Sequence, residues 1–331
     1  MSKIRIAQIG TSINSHGNFI WSSLVKQSDV FEVVGYALPE NEREKFPNAM
    51  KYFEGFREMT VDEILSDETI TAVSIETEEI YLTKYALMAA KAGKHIHMEK
   101  PGGQCLSDFE QLIETVRKNG TVFHTGYMYR YNPLIVELLD QIKKGELGEI
   151  ISVDAEMSCT HKKEIRDWLS NMKGGMTFFL GCHLIDMIYR IQGKPLNIIP
   201  LTRSTGLDGV TSEDFGFTAL EYKNGVSTAK TTDVQKGGFA RRHLVVVGSK
   251  KTVEIRPLEM FYGDLQFATR TDYYGISWGD RGLARDCEPF DRYDNMMLSF
   301  AKMVRGEMQN PYTLDYELEL YKLVLECCGV K

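Results

Sequence analysis

The sequence predicts an α/β protein of two domains, the first built on a parallel sheet of the doubly wound kind and the second on a mainly antiparallel sheet. Three observations predict it. From Lys3 to about His124, short β-branched runs alternate with helical patterns, as βαβ units require. A glycine turn lies between the first run and the first helix. After Thr125 the strands show apolar/polar alternation, which suits a sheet with one face packed on helices.

In chain order, Ile4 to Ile9 is the first strand and Gly10 ends it. A helix follows from about Asn18 to Ser28, then a strand from Phe31 to Ala37 and a later one from Thr71 to Ile75. Between these strands, Thr60-Val61-Asp62-Glu63 has capping-box spacing and opens a short helix through Leu65. Tyr81 to Ala92 reads as a helix closed by Gly93 at its C′ position, and residues 95 to 98 as a buried strand. Ser107-Asp108-Phe109-Glu110 repeats the capping-box spacing and opens a helix that ends near Gly120. In the second half a helix begins near Pro133, Ile150 to Cys159 is a strand, and a helix runs from about Thr177 to Gln192. Alternating runs follow at Phe215 to Tyr222, Val226 to Asp233, His243 to Val247 and Thr252 to Ile255. Helices near Asp291 to Arg305 and Leu314 to Leu325 close the chain.

The 331 residues suffice for two domains that each bury a core. A net charge of -7 and a pI near 5.6 exclude nucleic acid and anionic membrane as partners, since either needs a basic face. Small neutral or polar ligands fit better. The cysteines form no CxxC pair or zinc-ribbon spacing, and no signal peptide is read at Met1-Ser2-Lys3. No apolar run approaches the about 18 residues of a membrane span. A cytoplasmic protein with reduced thiols is expected.

The most informative stretch is His95-Ile96-His97-Met98 running into Glu99-Lys100-Pro101. If residues 95 to 98 form a buried strand, Glu99 and Lys100 emerge at its carboxyl edge, where open α/β sheets bind ligands. Pro101 then stops the strand. In the glycine turn, Gly10-Thr11-Ser12-Ile13-Asn14-Ser15-His16-Gly17 stands where a dinucleotide fold carries GxGxxG. Only Gly10 is in register, with Ser12 and Ser15 in place of the second and third glycines. Such a turn still offers helix N–H groups to a phosphate. At the end of the second strand, Leu38 occupies the place of a ribose-binding acid. Glu40 follows two residues on, and Arg43 offers a partner for a 2′-phosphate, so the choice between NAD and NADP stays open.

A third stretch, Gly174-Gly175 to Gly181-Cys182-His183-Leu184-Ile185-Asp186, is a largely apolar helix carrying His183 and Asp186. At i and i+3 they are neighbours, so Asp186 is expected to hold the imidazole in one tautomer or raise its basicity. Phe179 makes one side of the histidine apolar. A satisfied core histidine is the competing interpretation. His161, His183 and Glu156 match no zinc signature, and no metal is expected. His95 and His97 share one side of their strand, which points to packing.

Together these segments resemble the Gfo/Idh/MocA family of nicotinamide-dependent oxidoreductases, nearly from end to end. The resemblance rests on Ala92-Gly93-Lys94-His95 leading into Glu99-Lys100-Pro101, then Arg130-Tyr131-Asn132-Pro133, Gly145-Glu146-Leu147-Gly148-Glu149-Ile150, and the Gly174 to Asp186 stretch, in the family's order. It implies a dinucleotide-binding Rossmann domain over 1–125. It also implies a C-terminal α+β domain over 126–331 that binds substrate, with a large open sheet whose outer face joins subunits into a dimer or tetramer. NAD or NADP would lie over Gly10, Ser12, Ser15, Glu40 and Thr77, with Glu99 and Lys100 at the nicotinamide end. Lys100 would sit beside the nicotinamide and a substrate hydroxyl, and His183 would be the general base and acid. Tyr127, Tyr129, Arg130, Trp168 and Asp186 would line the substrate. The family's aspartate four residues before the histidine is Phe179 here, and its Thr-Pro-Asn-His turn reads Thr77-Glu78-Glu79-Ile80.

The function expected is hydride transfer between NAD(P) and a hydroxyl or keto group of a sugar, cyclitol or related polyol. Two alternatives stand beside it: a glycoside-cleaving enzyme that oxidises its sugar transiently, and a non-catalytic sugar-binding or assembly protein that has lost the cofactor.

Overall fold

The computed structural model describes residues 2–12 and 14–330. The chain divides into two compact units that are not continuous in sequence: Met1–Tyr127 with Tyr293–Tyr321, and Met128–Arg292 with Lys322–Lys331. The division expected at 125/126 therefore differs from the observed one, because the chain returns to its first unit near the end.

The first unit runs β1 (Ile4–Ile9), α1 (Gly17–Lys26), β2 (Phe31–Ala37), α2 (Glu42–Lys45), α3 (Val61–Ser66), β3 (Ala72–Ile75), α4 (Glu79–Lys91), β4 (His95–Met98), α5 (Leu106–Asn119) and β5 (Phe123–Thr125). The strands form one parallel sheet in the order β2-β1-β3-β4-β5. Ile6, Ala7, Ile9, Val73, Ile75, Ile96 and Met98 are fully buried, as strands covered on both faces require. The register aligns Ile9, Ile75, Met98 and Thr125 in one row. The residues after that row, Gly10, Glu76, Glu99 and Gly126, consequently leave the sheet side by side at its carboxyl edge.

Thr60 caps α3 with both bonds of the capping box. The second expected box does not form. Helix α5 starts at Leu106 with Cys105 as its N-cap residue, so Ser107 lies inside the first turn with its hydroxyl 3.2 Å from Cys105 Sγ.

The second unit contains α6 (Pro133–Lys143), β6 (Ile150–Glu156), α7 (Lys163–Trp168), α8 (Cys182–Gln192), β7 (Asn197–Arg203), β8 (Phe215–Tyr222), β9 (Gly225–Thr232), α9 (Gly238–Arg241), β10 (His243–Gly248) and β11 (Thr252–Ile255). It continues with β12 (Met260–Tyr262), β13 (Leu265–Phe267), β14 (Thr269–Tyr273) and β15 (Leu283–Asp286). Eight strands form a sheet in the order β15-β14-β11-β10-β6-β9-β8-β7, antiparallel except where β6 meets β9. Val153, Ala155, Leu220, Ala229, Leu244, Val246 and Val253 bury one face, while Ile199, Leu201 and Val226 of the other are 41, 42 and 48% exposed. The sequence did not reveal β7, which carries Pro200 at its centre; its place at the sheet's edge is where proline is tolerated. The helix expected from Thr177 begins instead as a wide π-turn, Thr177–Gly181, before α8.

Two helices end the chain, α10 (Asp294–Val304) and α11 (Leu314–Cys327). Helix α10 joins the first unit through Asp294, which accepts from Ser23 Oγ at 2.7 Å. The first half of α11 does so through Glu317, which accepts from Thr125 Oγ1 at 2.8 Å, and through Tyr321, which donates to the Gly103 carbonyl at 2.6 Å.

Candidate active site

In the first unit, β4 delivers Glu99 and Lys100 to the carboxyl edge as its spacing predicts. Lys100 is 1% exposed, and its Nζ lies 3.6 Å from Glu99 Oε1. His16, at the start of α1, brings Nδ1 to 3.3 Å from Glu99 Oε2 and packs its ring on Tyr293. Burial alone would raise the Glu99 carboxyl, but His16 and Lys100 together hold it below the usual carboxylate range.

The glycine turn packs directly on the neighbouring strand end. Gly10 has φ +91°, and Thr77 fills the space that a Cβ there would need, so glycine is required twice over. Ser12 donates its N–H to the Glu76 carbonyl at 2.9 Å, and Ser15 donates its hydroxyl to the Ser12 carbonyl. Thr11 N–H is taken by Glu42 Oε2 at 2.8 Å. Leu38 packs against the Trp21, Tyr36 and Phe53 cluster, and Glu40 gives its carboxylate to Lys84 and Tyr85 on α4 at 2.6 and 2.7 Å. Arg43 pairs with Glu58.

Four fully buried glutamates, Glu42, Glu76, Glu79 and Glu99, therefore crowd the strand ends. Burial pushes Glu42 up to about 8 and Glu79 up to about 7. It carries Glu76 well above the ordinary range, with Glu99 adding to the shift. At neutral pH, Glu42 is accordingly mostly protonated.

A dinucleotide fits these residues. Both carboxyl oxygens of Glu79 and one each of Glu42 and Glu76 find no hydrogen-bond partner among the described residues. Carboxyl groups kept neutral do not repel a pyrophosphate and can donate to it. The resemblance assigns the phosphates to Gly10, Ser12, Ser15 and Thr77 and the nicotinamide end to Glu99 and Lys100; in the structure the N–H groups of Gly10, Ser12 and Ser15 already donate to the carbonyls of Ala37, Glu76 and Ser12.

In the second unit, a 3₁₀ turn at Met128–Tyr131 fastens two side chains onto α8. Tyr129 sets its ring edge-on to His183, 5.3 Å between centroids, and donates its hydroxyl to Glu259 at 2.6 Å. Arg242 and Arg292 complete that buried cluster at 3.0 and 2.5 Å from the same Glu259 oxygen. Burial, with the Glu259 charge behind it, pushes the Tyr129 phenol up, so it stays a donor. Arg130 binds Asp186, the carboxylate expected on the imidazole. Trp168 stands edge-on to Phe179, and His161, 6.1 Å from the same ring, lies beside Cys159 and Asp233.

The fold thus gathers Gly10, Ser12, Ser15, Thr77, Glu99 and Lys100 at one sheet edge. Tyr129, Arg130, His183 and Asp186 meet around one helix of the other unit. Glu40 is held on α4. Sequence reasoning missed His16, Glu42, Glu76 and Glu79; for Glu76 and Glu79 the available signal is acidic residues directly after a buried strand.

Residues 4–127 match the family model described as "Oxidoreductase family, NAD-binding Rossmann fold", and residues 135–254 match "GFO/IDH/MocA C-terminal domain". An uncharacterized oxidoreductase of Rhizobium meliloti is 26% identical over 98% of this chain and 96% of its own length. The 1,5-anhydro-D-fructose reductase of Ensifer adhaerens is 23% identical over 54% of this chain and 56% of its own. Among solved structures, the aldose-aldose oxidoreductase of Caulobacter crescentus superposes with a TM-score of 0.80 at 18% identity, covering 98% of this chain and 96% of that one. A 3-ketoreductase of Actinomadura kijaniata, solved with NADP, gives 0.77 at 17% identity over 98% and 96%.

Proposed function

Since this chain belongs to the GFO/IDH/MocA family of oxidoreductases, with its NAD-binding Rossmann fold, we propose that it moves a hydride between NAD(P) and a hydroxyl or keto group of a sugar, cyclitol or related polyol. The observation that carries this reading is the buried Glu99–Lys100 pair at the carboxyl edge of β4. The nicotinamide, when bound, supplies the hydride acceptor or donor.

Removing hydride from a hydroxyl-bearing carbon requires the hydroxyl proton to leave as well. Lys100 hydrogen-bonds the reacting oxygen and steadies the forming oxyanion in a site from which water is excluded. In the second unit His183, set against the edge of the Tyr129 ring, is the residue proposed as general base and acid. Asp186 also carries the Arg130 guanidinium, and Lys100 is proposed to take a share of the proton task.

The outer face of the eight-stranded sheet, with Ile199, Leu201 and Val226 exposed, is proposed to cover a second copy of the chain.

The test is titration with NAD and NADP followed by absorbance at the reduced-nicotinamide band across a panel of sugars and polyols. Oxidation with stoichiometric reduced cofactor supports the reading, and Lys100→Ala should then lower kcat by roughly 100-fold or more. Cleavage without net reduced cofactor points to transient oxidation, and failure to bind either nicotinamide overturns the assignment in favour of a binding protein.

A further inference from the structure

Lys100 is 1% exposed and Glu99 is fully buried, so a proton handled by Lys100 needs a route to water. The carboxylate beside Lys100 is touched by one histidine that reaches solvent: His16 keeps 17% of its side chain exposed with Nδ1 at 3.3 Å from Glu99. We infer that His16 and Glu99 form a proton relay between Lys100 and bulk water, making His16 a positioning residue for proton transfer. This inference rests on the proposed place of Lys100 beside the reacting hydroxyl.

The steps balance without any electron moving. The imidazolium of His16 first releases a proton to water; Lys100 Nζ then gives a proton to Glu99 Oε1, and the carboxyl group turns and hands that same proton to His16 Nδ1, which restores the imidazolium. The neutral amine of Lys100 then accepts the proton of the substrate hydroxyl as hydride leaves, and reduction of a ketone runs the same path inward.

The other groups around Glu99 do not offer this route. His97, whose Nε2 lies 3.6 Å from Glu76, is completely buried and contacts His124 Nδ1 at 2.8 Å. Burial pushes His97 down to about 4, so it stays neutral and has no water to deliver to. Glu76 and Glu79 also face Glu99, and both are fully enclosed. The ion pairs that keep Glu99 charged at rest make it a station through which the proton passes and not one where it stays.

Two measurements test the relay. The first needs no substrate: with ¹⁵N-lysine-labelled protein, exchange of the Lys100 ammonium protons with water is followed by NMR in wild type and in His16→Leu, with His16→Gln as a polar second variant. Exchange should slow by roughly 10-fold or more in both and recover when imidazole is added to the buffer. The second uses a substrate found in the sugar panel: kcat should fall by roughly 10- to 100-fold with KM and nicotinamide affinity unchanged, again restored by imidazole. Equal exchange rates in wild type and variants overturn the relay whatever the panel shows. A loss of kcat that tracks lost nicotinamide affinity and ignores imidazole overturns it too, and makes His16 a cofactor contact. Slowed exchange with no oxidation of any panel member leaves the relay standing and sinks the hydride-transfer reading instead.

Discussion

Arg130 grips Asp186 through Nε and Nη2 at 2.9 to 3.3 Å, with both side chains 1% exposed. The pair ties the turn before α6 to the middle of α8, so the helix that carries His183 is fixed by charge as well as by packing. Deleting one partner leaves the other ionised in the core, with Arg190 at 3.9 Å as a more distant cation for Asp186. Arg130→Met should therefore destabilise by about 3–5 kcal/mol, read from urea unfolding. The double change Arg130→Met with Asp186→Leu should recover most of that loss, because it removes the stranded charge; no recovery would mean that the pair does more than neutralise itself.

Glu42 links stability to pH. Its folded carboxyl titrates at about 8 against an ordinary value near 4.5, so between those values the folded state holds a proton that the unfolded state has released. Its contribution is whole below pH 4.5 and is lost as pH rises toward 8. The slope is about 1.4 kcal/mol per pH unit for this group alone. Glu42→Gln keeps the acceptor for Thr11 N–H and cannot ionise, so its stability relative to wild type should climb steadily from pH 5 to 8. Parallel curves for the two proteins would show that Glu42 is not held neutral.

How much of this was legible in the sequence differs between the two units. The parallel strands read cleanly because both their faces are apolar, and Glu99-Lys100 fell at a strand end by counting alone. Glu42 was invisible, since nothing local distinguishes it from Glu40 or Glu44; its burial comes from the turn that folds α2 over Thr11, a contact 31 residues away. The partner of Asp186 was missed for the same reason. A neighbour at i and i+3 suggested His183, whereas Arg130, 56 residues earlier, supplies the planar fork that suits a carboxylate. The return of α10 and α11 to the first unit left no mark on periodicity, which reports which face of a helix is buried and not against what.

The two capping-box spacings make a paired test of sequence against structure. Thr60 accepts from Glu63 N–H at 3.1 Å while Glu63 accepts from Thr60 N–H at 2.7 Å. Thr60→Ala should cost about 1 kcal/mol in denaturant unfolding. Ser107 occupies the same place in an equivalent motif yet caps nothing, because α5 already begins at Leu106. Ser107→Ala should change stability by less than about 0.5 kcal/mol. Equal losses at the two sites would place a working cap at Ser107 after all.

The outer face of the large sheet supports the most direct prediction about assembly. Its charged groups already satisfy one another within the chain: Asp154 meets Thr228 and His243, Glu156 meets Lys230, and Tyr273 donates to Glu254. Such pairs can enter an interface without stranding a charge, and Ile199, Leu201 and Val226 supply apolar surface beside them. A sheet face of this kind is self-complementary under a two-fold axis, which is the commonest closed symmetry. Sedimentation velocity should accordingly find wild type as a dimer or tetramer. Leu201→Lys, on the edge strand β7, should shift it toward monomer, since a like charge then meets its own copy across the axis. The first unit lies outside this change, so nicotinamide binding should survive in the dissociated protein. A wild type that is monomeric at tens of micromolar would remove the basis for the interface.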